Sequence, residues 1–110
     1  MLKYLGTNQI NIMAKFRKKP VVIEAITFKE LIEHGKKVAP EDAERHDGFA
    51  WSFDYKGHAI THENNECYLI PTSEGTFNFT PKDILITGTK GEIYPCKIEI
   101  FQEIYEPVAA

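Results

Sequence analysis

From residue 49 the chain alternates. Phe49, Trp51, Phe53 and Tyr55 are interleaved with Ala50, Ser52 and Asp54, the period of two expected of a half-buried strand. A strand over 49–55 with its aromatic residues on one face is predicted. Beyond it, Lys56-Gly57, Asn64-Asn65, Ser73-Glu74-Gly75 and Lys90-Gly91 are turn-forming clusters that separate short runs rich in Ile, Thr, Phe and Tyr. These predict a meander with strands near 58–63, 66–71, 76–80, 84–88 and 92–96, a helical turn near 97–102 and a last strand near 103–107. In it, Ile84, Leu85 and Ile86 form a buried strand, entered by a turn that Pro81 starts and whose amides Asp83 accepts.

The N-terminal half is organised differently. Val21 to Phe28 is rich in β-branched residues and follows Pro20, which suits a first strand. Thr27 and Glu30 have the spacing of a capping box, and Gly35 stands where a helix C′ residue belongs. A helix over Phe28 to His34 is predicted, with Phe28, Leu31 and Ile32 on the face that meets a sheet. Residues 36–48 are charged and contain Pro40 and Gly48, so they read as an exposed connection with one helical turn after Pro40. The fold class is α+β, a mostly antiparallel sheet or small β-barrel-like meander with one or two short helices.

A length of 110 residues suits one domain with one core. Residues 1–12 show no amphipathic period, and Met13 opens the patterned stretch, so a 1–12 extension before a compact 13–110 domain is expected. The chain is 43% apolar and 26% charged with 7 Gly and 6 Pro, which excludes collagenous, coiled-coil and disordered classes. Apolar runs such as Val21–Ile23 and Ile84–Ile86 are far shorter than the roughly 20 residues of a membrane span. Two cysteines are too few for a disulfide scaffold, and residues 1–20 contain no signal-peptide pattern, so the expected setting is cytoplasmic. The net charge of -3 hides an asymmetry: Lys3, Lys15, Arg17, Lys18 and Lys19 precede every one of the 16 acidic residues.

Candidate chemistry is sparse. His58 and His62 have the spacing of a helical zinc pair, but on a strand they stand roughly 13 Å apart, so they are read as solvent-facing hairpin residues and no metal is expected. Cys67 and Cys96 lack a CxxC partner and read as small packing residues. No GxGxxG, Walker A, GxSxG or HExxH motif occurs; no catalytic residue or cofactor is expected. Thr87–Gly91 resembles a phosphate loop but, with no helix following, reads as a hairpin turn. The basic stretch Lys15–Lys19 suits either phosphates or an acidic protein surface. The aromatic strand is either core or a stacking platform.

The C-terminal half is more specific: Thr72-Ser-Glu-Gly-Thr76, Thr80-Pro-Lys-Asp-Ile-Leu-Ile-Thr-Gly-Thr-Lys-Gly-Glu-Ile-Tyr-Pro-Cys96 and Ile100-Phe-Gln-Glu-Ile-Tyr-Glu106. With the start Lys15-Phe-Arg-Lys-Lys-Pro-Val-Val-Ile-Glu-Ala25, this resembles the small phage and prophage proteins of the PGDYG type over about residues 13–107, with 36–70 poorly matched. Where that pattern has Pro-Gly-Asp and an aromatic, this chain has Pro81-Lys82-Asp83-Ile84, so its turn is either type I or differently built. The resemblance implies a phage or prophage origin and action in a bacterial cytoplasm, and brings no catalytic residues.

The expected function is that of a non-enzymatic accessory protein that binds a host protein or small host molecule, as a homo-oligomer through its sheet edges. A sharper version is counter-defence by sequestering an anionic nucleotide, with Arg17, Lys18, Lys19 and Lys90 on phosphates and Trp51 and Tyr94 stacking on a base. The alternative is a nucleic-acid-associated module using the basic arm.

Overall fold

The computed structural model describes residues 14–17, 19–39, 41, 45–46, 49–50 and 52–108. The expected 1–12 extension and the helical turn after Pro40 lie outside these residues. The elements are β1 (Glu24–Thr27), α1 (Phe28–Val38), β2 (Arg45–His46), β3 (Phe49–Ala50), β4 (Ser52–Tyr55), β5 (His58–Asn64), β6 (Cys67–Thr72), β7 (Gly75–Phe79), β8 (Asp83–Thr87), β9 (Ile93–Lys97) and α2 (Ile98–Ile104). They form an antiparallel three-stranded sheet in the order β1-β8-β9, a four-stranded meander β4-β5-β6-β7 and a two-stranded β2-β3 pair. The fold is α+β with mostly antiparallel sheet. Neither large sheet closes on itself, so the barrel-like variant does not form.

β1 begins at Glu24 rather than Val21. Its register runs Glu24↔Thr87 to Thr27↔Ile84, and beyond Thr87 the partner strand turns away, which leaves Val21 and Val22 exposed. At Thr27 the capping box closes as the spacing predicts: the Glu30 N–H donates to Thr27 Oγ1 at 3.1 Å, and the Thr27 N–H donates to Glu30 Oε1 at 2.8 Å. α1 then continues a turn past the expected end. Gly35 is not its C′ residue but a buried interior position, and the Ala39 N–H closes the helix on the Gly35 carbonyl at 3.0 Å. The glycine is there for close approach, because a Cβ at residue 35 would stand 2.7 Å from Phe53 Cε1.

The expected 49–55 strand is divided. β3 pairs with β2 while β4 pairs with β5. The meander has one inner face, set by the pairs Phe53↔Ile60, Tyr55↔His58, His62↔Tyr68, Tyr68↔Phe79 and Ile70↔Phe77. That face meets α1 through Phe28 and Leu31, and meets the first sheet through Leu85 and Ile93. Phe53 and Tyr55 are therefore core residues and not a stacking platform. The histidines are corrected too: His62 is 3% exposed and shares the inner face with Ile60, because residues two apart on a strand point the same way.

β8 is covered on both sides, as its Ile84-Leu85-Ile86 run predicts. Leu85 faces α1 and the meander, while Ile84 and Ile86 share the opposite face with Ala25 and Tyr94, beneath Phe101 and Tyr105. The expected strand at 103–107 does not form. Ile98, Phe101 and Tyr105 recur at three and four, a helical period, and the Phe101 and Tyr105 rings stack at 5.0 Å; α2 runs to Ile104 and the chain leaves it extended. The turn entering β8 is closed by the Asp83 N–H on the Thr80 carbonyl at 2.9 Å. Lys82 has no positive φ there, so a non-glycine residue is accommodated without strain.

Tyr68 is fully buried between Phe28 and Phe53, and among the described residues its hydroxyl has no hydrogen-bond partner. Burial pushes its phenol up to about 12. Tyr68→Phe removes the unsatisfied hydroxyl and is expected to raise stability by about 1 kcal/mol in urea melts. The folded state holds this proton above the ordinary tyrosine range, so the contribution is intact below the unfolded pKa and lost as pH climbs through the folded one. The variant should accordingly lose less stability than the parent between neutral and strongly alkaline pH; an identical decline would refute the assignment.

Candidate functional site

The inner face of the meander does not end at the core. The β6-β7 hairpin projects past the first sheet, carrying Thr72 and Phe77 with it, and Phe77 is left 44% exposed. Opposite stands β9. Between them lies a cleft of about 620 Å³, lined on one side by Pro71, Thr72, Ser73, Glu74 and Phe77, on the other by Glu92, Ile93, Tyr94 and Pro95, with His58 between.

Local sequence builds both walls. The first is shaped by the Ser73-Glu74 turn, where Thr72 Oγ1 donates to the Gly75 carbonyl at 2.7 Å and accepts the Glu74 N–H at 3.1 Å. The second starts from the turn after β8. The Gly91 N–H donates to the Gly88 carbonyl at 3.1 Å, the Gly88 N–H to the Glu92 carbonyl at 2.8 Å, and Gly91 has φ 84°. This is a three-residue hairpin loop with a glycine bulge, as expected of Thr87–Gly91. Its backbone cradle already holds a carboxylate: the Lys90 N–H donates to Glu92 Oε1 at 2.9 Å. A Cβ at Gly88 would stand 2.4 Å from Glu92 Cδ, so the glycine makes room for that side chain.

The Gly88·Glu92 bond sets the alternation along β9. Ile93 and Pro95 fall at positions whose backbone groups point away from β8, which is why a proline is tolerated there without loss of a ladder bond. Four consecutive residues, Glu92 to Pro95, line the cleft, so it runs along this open edge. The edge offers the carbonyls of Ile93 and Pro95, while Pro95 has no N–H to give. His58 Nε2 donates to the Gly91 carbonyl at 2.8 Å, which ties β5 to the turn. The charged side chains lining the cleft, Glu74 and Glu92, are both acidic.

Of the residues singled out from sequence, Tyr94 lines the cleft and Lys90 is exposed on the adjoining turn without lining it. The Tyr94 phenol is raised by burial and by the neighbouring Tyr105 hydroxyl, and the residue stands opposite Ile86 in the register of β8 and β9. Arg17 and Lys19 are exposed on the segment before β1 and do not line the cleft; Lys18 and Trp51 lie outside the described residues. Phe77, Glu74, Glu92 and Pro95 were not singled out. Pro95 inside a strand run is the signal that marks an open edge, and Phe77 carries the aromatic alternation one turn past the core.

Among the described residues no three His, Cys, Asp or Glu side chains gather as a metal site, and no helix is long and apolar enough to cross a membrane. Cys67 is buried, and burial raises its thiol. A second groove of about 750 Å³ lies between Val21–Ala25 and the α2 end, and it is mostly apolar. Gln102, Tyr105 and Glu106 are polar side chains along it. The chain matches no protein-family model, no curated protein and no solved structure.

Proposed function

We propose that this chain is a non-enzymatic binding protein that captures a small molecule of a bacterial host in the cleft between the β6-β7 hairpin and β9. The observation that carries this reading is Phe77: an aromatic on the core-facing side of the sheet, left open to solvent beside hydrogen-bonding groups on two rigid walls. Such a mixture is the usual make-up of a ligand pocket. The ring nitrogens of His34 and His58 that bond to backbone carbonyls, Asp54 at 2.8 Å and Gly91 at 2.8 Å, act as braces, which favours binding over catalysis. The resemblance to PGDYG-type phage proteins supports an accessory role in a bacterial cytoplasm. The uncharged edge of β7, Gly75 to Phe79, supports pairing between protomers.

The test is ligand-observed NMR with a panel of bacterial metabolites that includes cyclic and ADP-ribose-type nucleotides, on the parent and on Phe77→Ala. Phe77 is exposed, so its truncation should leave the fold intact. A ligand whose affinity falls about tenfold or more in the variant supports the cleft, on the scale of one lost aromatic contact; a ligand indifferent to Phe77 refutes it as the site.

The exposed Arg17 and Lys19 favour a second reading, nucleic-acid association through the basic arm. It requires binding that falls steeply with salt and vanishes without residues 1–19. Binding that survives the truncation eliminates it.

A further inference from the structure

We infer that the cleft takes a donor-rich organic cation, a guanidinium or primary ammonium on a short apolar stem. This rests on the cleft being the binding site and specifies what it binds. Three features converge. Glu74 and Glu92 are lining side chains with full charge, and among the described residues no lysine or arginine lines the cleft with them. The open edge of β9 contributes carbonyl oxygens at Ile93 and Pro95, while the proline ring deletes the donor that an ordinary edge strand would supply between them. Phe77 offers an exposed ring, whose face attracts a cation and whose area covers a stem.

Each feature selects the same chemistry. Along the open edge the Ile93 N–H stands against the carbonyls of Ile93 and Pro95, so acceptors outnumber donors, and a phosphate or carboxylate in the cleft would stand close to two like charges. A planar guanidinium presents five N–H donors in a fixed fork, which suits a mixture of carboxylate and carbonyl acceptors. The Lys90 N–H donates to one oxygen of Glu92, which orients the carboxylate. The turn that looks like a phosphate loop thus has a different role: it holds an acidic side chain at the mouth of the cleft.

The probe is butylguanidinium, compared with butylurea, its neutral isostere, and with adenosine monophosphate, in titrations of the full chain followed by amide chemical shifts. Butylguanidinium should shift the amides of Phe77, Ile93 and Tyr94 with an affinity about tenfold above butylurea, as charge-assisted hydrogen bonding predicts. The preference should shrink in Glu92→Gln and in Glu74→Gln, two isosteric changes that keep an acceptor oxygen and so preserve the turns. Equal affinity for butylurea, or tighter binding of the nucleotide at the same amides, would overturn the cation assignment while the cleft stands as a binding site. If no probe moves these amides and the metabolite panel also leaves them unmoved, the cleft reading falls with it.

Discussion

Asp83→Ala is expected to cost about 3 kcal/mol of folding stability, the range of a buried carboxylate lost from its hydrogen-bond network. Asp83 is 4% exposed. Its Oδ2 accepts the Thr80 N–H at 2.9 Å and the Thr80 hydroxyl at 3.0 Å, and Lys97 Nζ approaches Oδ1 at 3.1 Å. Removing the carboxylate strands the Thr80 donors at the mouth of β8, the strand that joins β1 to β9. The ion pair is the smaller part, because the Lys97 side chain is 60% exposed and returns to water when its partner leaves. Lys97→Met should therefore cost under about 1 kcal/mol, and Asp83→Asn, which keeps an acceptor for Thr80, should fall between. Urea melts of the three variants decide this. Equal losses for Asp83→Ala and Lys97→Met would show that the ion pair, and not the turn, carries the stability.

Gly35→Ala should destabilise by about 2 kcal/mol, although alanine gains roughly 1 kcal/mol over glycine in an open helix. The added methyl would lie 2.7 Å, 2.9 Å and 3.0 Å from Cε1, Cδ1 and Cζ of Phe53. That ring is held edge-on against Tyr68 at 5.5 Å and flanked by His34 at 5.9 Å, so α1 must lift away from β4. Shrinking the obstacle checks the cause. Phe53→Leu costs stability alone, but combined with Gly35→Ala the two losses should sum to less than their separate values, a coupling that thermal or urea melts in a double-mutant cycle would measure. Strict additivity would mean that residue 35 acts through helix propensity alone.

Local signals were the legible ones. Thr27 and Glu30 announce the start of α1 because a capping box is a contact between residues three apart. The turns at Lys56-Gly57 and Lys90-Gly91 are announced by the backbone they require, with φ 51° at Lys56, 83° at Gly57 and 84° at Gly91. Ile84 to Ile86 reads as a doubly covered strand because three consecutive branched residues leave no polar face. Gly35 misled for a physical reason: a glycine near a helix end looks the same in sequence whether it frees φ at a cap or makes room for a ring 18 residues away. The histidines misled through composition, since their parity with Ile60 already put His58 and His62 on the inner face.

The cleft was legible only in pieces. Its walls come from residue 58, residues 71–77 and residues 92–95, and nothing in the spacing of those segments says that they meet. By itself, the sequence determined the α+β class, the capped helix, most of the hairpin turns and the two-faced burial of β8, because each follows from contacts within a few residues. Only the tertiary structure decided that Phe53 and Tyr55 fill the core while Phe77 stays open, and that two acids and a proline-marked edge line one cleft. Those outcomes depend on how two sheets pack across each other, and packing between distant segments leaves no period in the chain.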